Sequence, residues 1–173
     1  MQTTKFKSTK FWTRTAILLA LALVFQLGGF PQPITGPVIN SILFLSALLV
    51  GPLAGISIGI LTPVIAFIRG ILPPPLAPMI PFIAIGNGIL VLSYIILRSI
   101  LRVKPKSIFT LRNILSMILA AILKFLILAG AVTFLVEIPS PIAQMMTLPQ
   151  LYTALAGGII ALIIYRAFPL EQI

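Results

Sequence analysis

The stretch that decides the fold runs from Val38 to Ile68, VINSILFLSALLVGPLAGISIGILTPVIAFI, and it carries no charge. A helix crosses the hydrocarbon core of a bilayer in about 20 residues at about 1.5 Å each. The run is too long for one upright span and short for two, and Gly51-Pro52 at its middle permits either reading. Kinked at Pro52 it makes one helix of five; broken there it makes two short helices of six. Basic residues arbitrate, because cytoplasmic loops retain Lys and Arg. With six spans, one side collects Lys5, Lys7, Lys10 and Arg14 before and within the first helix, Arg98, Arg102, Lys104, Lys106 and Arg112 around the fourth loop, and Arg166 near the end, ten of the twelve cations. With five spans the two large clusters would face opposite sides, so the charge pattern selects six.

Composition agrees with that reading. The 173 residues are 60% hydrophobic and 8% charged, with a mean hydropathy of +1.20, well outside the soluble range. The expectation is a single all-α domain, an integral membrane bundle of six transmembrane helices with both termini cytoplasmic. The spans fall at about 12–29, 37–50, 52–69, 79–98, 112–136 and 148–167. The first could pass for a secretory signal, but the rest of the chain is equally apolar, so it reads as the first membrane helix.

Several chemistries drop out. The chain has no Cys and no His, which removes disulfides, thiolate or imidazole metal sites and Ser-His or Cys-His couples. Twelve Lys and Arg against two acids, Glu137 and Glu171, would suggest nucleic acid in a soluble chain. Here they flank apolar spans, and no soluble domain exists to present a basic face. No P-loop sequence is present, and no paired intramembrane acids suggest a proton or sodium site. The expectation is a protein that is not an enzyme, has no catalytic residues, cofactor or metal, and has no energy source of its own.

Two cations resist the topology. Lys124 lies near the middle of the fifth span, with ten or more residues of apolar helix on either side, too deep to snorkel to the headgroups. It must face a cavity, pair with an acid or shed its proton. The nearest acid in sequence, Glu137, is thirteen residues on, about 20 Å along the helix, so a cavity holding an anionic ligand explains the charge more economically. Ser116 and Ala120 share the face of Lys124. Arg69 ends the third span on the outer side, where it either pairs with Glu137 at the outer end of the fifth, grips a carboxylate or phosphate with its planar fork, or snorkels at the interface. Asn87, within PFIAIGNG at the start of the fourth span, either reads a substrate's donors and acceptors or bonds another helix. Asn40, near the outer start of the second, is a candidate of the same kind.

Small residues mark close helix approaches. Ala16 and Ala20 in the first span form a flat strip suited either to internal packing or to a partner protein, and Gly51, Gly55 and Gly59 repeat the spacing in the third. Pro63 comes next, with no N–H to give the carbonyl of Gly59. The outer connections GGFPQPITGP and ILPPPLAP are uncharged and proline-stiffened, which lowers the entropy lost in closing over a small molecule. The stretch RVKPKSIFTLR reads as a loop touching lipid headgroups.

Taken together, TRTAILLALALVFQ, PITGPVINSILFLSALLVGPLAGISIGIL and PFIAIGNGILVL resemble the substrate-binding S-component of energy-coupling factor (ECF) vitamin transporters, over nearly the whole chain. The resemblance implies capture of a scarce nutrient from outside, in a cavity formed by the outer halves of the later helices and closed by the first and third outer loops. It implies association with a transmembrane coupling (T) subunit and two ATPase subunits in the cell membrane, and toppling of the substrate-bound unit to release its load. It assigns Ala16 and Ala20 to the coupling-subunit contact. The histidine-containing pocket of some members is impossible here, and the biotin-type glycine and aspartate pattern is not present.

Overall fold

A computed structural model of the chain describes residues 9–101 and 110–167. Lys5, Lys7, Arg102, Lys104, Lys106 and Glu171 lie outside them, as does most of RVKPKSIFTLR. Six long helices form the fold: α1 (Thr9–Leu27), α2 (Gln32–Leu49), α3 (Pro52–Ile68), α4 (Ile80–Ile100), α5 (Leu111–Phe134) and α7 (Leu148–Ala167). A five-residue helix α6 (Ser140–Gln144) and a 3₁₀ turn (Pro74–Met79) lie in the connections between them, and no strand occurs among the described residues. The expected all-α six-helix bundle is what forms. Five segments are long and apolar enough to cross a membrane, while α3, at 17 residues, is shorter. It reaches about 25 Å, a mismatch a bilayer absorbs by local thinning.

The break at Gly51 settles the count. Gly51 has φ 127°, a conformation L side chains rarely adopt, and Pro52 opens α3 where its missing N–H costs nothing. In a continuous helix Leu43 and Gly59 would stand about 24 Å apart. Instead a Cβ added at Gly59 would lie 3.5 Å from Leu43 Cδ2, and one at Gly55 3.3 Å from the Leu43 carbonyl oxygen. The chain therefore doubles back, and α2 and α3 are antiparallel neighbours.

The start of α2 departs from the sequence expectation. PQPITGP reads as part of an outer connection, yet the helix begins at Gln32 and reaches 18 residues. Pro31 stays extended, and a proline in the first helical turn has a φ already suited to it. Only Pro37, inside the helix, forfeits a backbone bond. Thr35 and Gly36 thereby become helical positions facing inward.

Glycine spacing carries the close packing at Gly55 and Gly59, the two of its three positions that fall within α3. A Cβ at Gly59 would lie 2.7 Å from Asn87 Cβ, and one at Gly55 2.9 Å from Val91 Cγ2, so α4 lies directly on α3. Gly51 faces open space and serves the turn alone. Helix α2 also lies close on α7, where a Cβ at Gly157 would come within 2.6 Å of both Asn40 Cβ and the Pro37 carbonyl oxygen. Between these pairs the core fills with Leu43, Phe44, Ile58, Leu90 and Tyr94, the Phe44 and Tyr94 rings meeting edge to face at 5.0 Å. Helix α1 is different: it buries only Thr15 and Ala22. Ala16 and Ala20 are both exposed on it, among Trp12, Ile17 and Val24.

Candidate functional site

A cavity of about 280 Å³ occupies one end of the bundle. Its wall draws on the last turn of α1, the first turns of α2, the second half of α3, the segment Ile71–Pro73, the first half of α4, the α6–α7 connection and Gln150 of α7. The connections α1–α2, α3–α4 and α5–α7 thus meet at this end, and Thr9 and Ala167 lie at the far ends of their helices. Most of the wall is apolar, with Ile39, Pro63, Ala66, Leu76, Ile83 and Met146 contributing.

At its base sits Lys124, 3% exposed. Its Nζ donates to Asn40 Oδ1 and to Asn87 Oδ1, each at 2.7 Å. Three of the residues singled out from sequence, on three helices, therefore converge on one point. An ammonium has three N–H groups; two are taken by the amides, and among the described residues no third acceptor is present. Ser116 and Ala120 are fully buried nearby on α5 but stand outside the cavity wall. The Ser116 hydroxyl donates to the Arg112 carbonyl at 2.7 Å.

The asparagines are held so that their oxygens face the lysine. Pro63 cannot donate to the carbonyl of Gly59, and Asn87 Nδ2 donates to that same oxygen at 2.9 Å. Gly59 is also where a side chain would collide with Asn87. A proline and a glycine four residues apart on α3 thus supply the acceptor and the space for an amide on α4. On the other side, Asn40 Nδ2 donates to the Gly36 carbonyl at 2.9 Å and lies 3.5 Å from Thr153 Oγ1. With both NH₂ groups committed, each amide has one orientation that satisfies it.

Around this base three other polar side chains of the wall are bonded locally. Thr62 Oγ1 donates to the Ile58 carbonyl at 2.9 Å, Thr35 Oγ1 to that of Phe30 at 2.9 Å and Gln150 Nε2 to that of Met145 at 3.1 Å. The wall contains no Asp or Glu. Any negative charge opposite Lys124 has to come from a bound molecule.

Arg69 and Glu137 are not brought to this point. Both are exposed and neither lines the cavity, and among the described residues no ion pair joins them. Arg69 is the C-cap of α3, and Gly70 at φ 70° turns the chain after it, so the segment from Ile71 enters the wall while the guanidinium stays outside. Sequence reasoning missed Gln26, Gln32, Thr35, Thr62 and Gln150 in the wall and Thr153 beside Asn40. Each is a single uncharged polar residue near one end of an apolar run, and position at that end was the one signal they shared.

A sequence model of the family described as "ECF transporter, substrate-specific component" matches residues 10–167. No curated protein and no solved structure is significantly similar to the chain. The match takes in all six long helices and every residue that lines the cavity. With its apolar helices, the chain belongs to the substrate-specific components of ECF transporters and is a multi-pass protein of the cell membrane.

Proposed function

We propose that this component captures a small, vitamin-like organic anion from outside the cell and delivers it to a T subunit and two ATPase subunits, which drive its uptake with ATP. One observation carries the substrate class: Lys124 is buried at the base of the cavity with two of its three N–H groups satisfied and no acid in the wall. Holding an ammonium in such a place costs several kcal/mol that an anion partly returns. The volume, about 280 Å³, is just below the usual span of ligand cavities, roughly 300–1,000 Å³, and suits a small metabolite. Lys124, Asn40 and Asn87 form the binding point. The basic residues of the N-terminal segment, the α4–α5 loop and Arg166 support cytoplasmic termini, which put the cavity on the outer side.

Arg69 and Glu137 take another place in this scheme. Arg69 stands beside the wall segment that begins at Ile71, where an exposed cation draws anions to the mouth rather than holding them. Glu137, exposed past the end of α5, tempers that field. The exposed Ala16 and Ala20 are the proposed contact for the T subunit.

The test is mass spectrometry of the small molecule released when purified protein is denatured, with wild type and Lys124→Met compared. A bound acid or phosphate in wild type, reduced about 100-fold in occupancy by the variant, is the expected result. Equal occupancy overturns the reading. A chain that purifies without ATPase subunits and conducts flux without ATP is a facilitator, and one that binds nothing is an assembly subunit.

A further inference from the structure

The cavity holds two buried polar groups whose hydrogen-bonding capacity the protein leaves unmet, and they are of opposite kind. One is the third N–H of Lys124 at the base. The other is Gln26 Oε1, which is buried with no hydrogen-bond partner, although Gln26 lines the same cavity. The hydroxyls of Thr35 and Thr62 and the side-chain nitrogens of Asn40, Asn87 and Gln150 already have acceptors. A buried amide oxygen left unpaired loses its hydration with no return, so its complement is a donor on the bound molecule.

We infer that Gln26 is a specificity-determining residue and that the substrate is bifunctional, with an anionic group on Lys124 at one end and an N–H or O–H donor on Gln26 at the other. This rests on the anion reading above and narrows it. Gln26 lies one residue from the end of α1, and Asn40, which touches Lys124, lies eight residues inside α2. The two anchors are therefore separated by on the order of 10 Å along the bundle. Ile39, Pro63, Ala66 and Leu76 lie in the wall with them, so the body of the molecule is apolar. A simple fatty acid satisfies the base and strands Gln26; a simple amine or alcohol does the reverse. Gln26 also stands on α1, the helix that exposes Ala16 and Ala20, so the second anchor fastens that helix to the bound molecule.

Two probes of nearly equal length separate these cases: ω-hydroxyoctanoate, which has both groups, and nonanoate, which ends in a methyl. Their Kd values are measured by calorimetry on the purified full-length protein. Wild type binds ω-hydroxyoctanoate about 10-fold more tightly than nonanoate, the value of one hydrogen bond to an otherwise unpaired group. Gln26→Met erases the preference and binds nonanoate at least as tightly as wild type does, because no amide oxygen is left stranded against the methyl end; that binding also shows that the variant is folded. Equal binding of the two probes by wild type, a preference that survives Gln26→Met, or binding of neither probe overturns the inference. Lys124→Met weakens both probes about 100-fold; if it binds both as wild type does, the anion reading fails independently of Gln26.

Discussion

At the scale of the residue, Lys124 shows how much a single charge can reveal. Its cost at membrane depth marks it in the sequence, and the same cost explains why two asparagines on other helices turn their oxygens toward it. Asn40 and Asn87 stand out because amides are rare in such runs. Gln26 does not, because a glutamine one residue from the end of a span reads equally well as an interface residue. Arg69 stands differently: a guanidinium on the unexpected side suggests a ligand contact, and a helix C-cap followed by a glycine turn leaves it beside the wall and not in it. Its proposed role has a kinetic signature. Arg69→Gln slows substrate association several-fold at low salt, with the deficit fading as ionic strength rises and dissociation unchanged. Stopped-flow measurement at two salt concentrations checks this, and faster dissociation from the variant would return Arg69 to the binding point.

At the scale of the element, α3 holds the site in register by what it lacks. Pro63 withholds an N–H from the Gly59 carbonyl, and Asn87 takes up the vacancy. Pro63→Ala restores the helical donor, which then competes with the amide. The expected outcome is a helix at least as stable, since a helix-interior proline is removed, and a several-fold weaker grip on substrate because Asn87 is free to turn away. Thermal unfolding and calorimetry on one sample check the two signs together; unchanged affinity would mean that packing against Gly59 alone positions the amide. The sequence exposes the proline and its orphaned carbonyl but not the donor, since Asn87 is twenty-eight residues away and pairing across helices has no periodic signature. The start of α2 is hidden for a different reason. Pro31 and Pro33, which read as breakers in PQPITGP, fit the N-cap and first turn of a helix, and only the fold distinguishes the two uses.

At the scale of the molecule, the bundle divides into a packed body and one loosely held helix. Helices α2, α3, α4, α5 and α7 bury the core between them, with α2 pressed on α7 at Gly157, while α1 buries two residues. On the proposed reading, the strip of small residues left exposed on that helix is where the T subunit docks. Replacing both Ala16 and Ala20 by leucine should leave substrate affinity within about two-fold of wild type, since neither residue touches the cavity, and should abolish co-purification of the T and ATPase subunits. Pull-down with a tagged chain and calorimetry on the same variant separate the effects, and intact assembly would move the contact elsewhere. The number of helices was legible by counting charges, because ten of the twelve cations obey one rule when the chain is parsed into six spans.

The absence of an acid from the cavity wall has an electrical consequence on the proposed reading. With Lys124 protonated, an empty site is a positive charge within the membrane field, and a monoanion seated on it cancels that charge. Carrying a charge through the full field takes about 2.3 kcal/mol per 100 mV; carrying the neutral pair takes none. Turning the loaded component over would then be indifferent to membrane voltage, whereas returning it empty would be voltage-dependent, and the cell's potential would act on the reset step instead of on delivery.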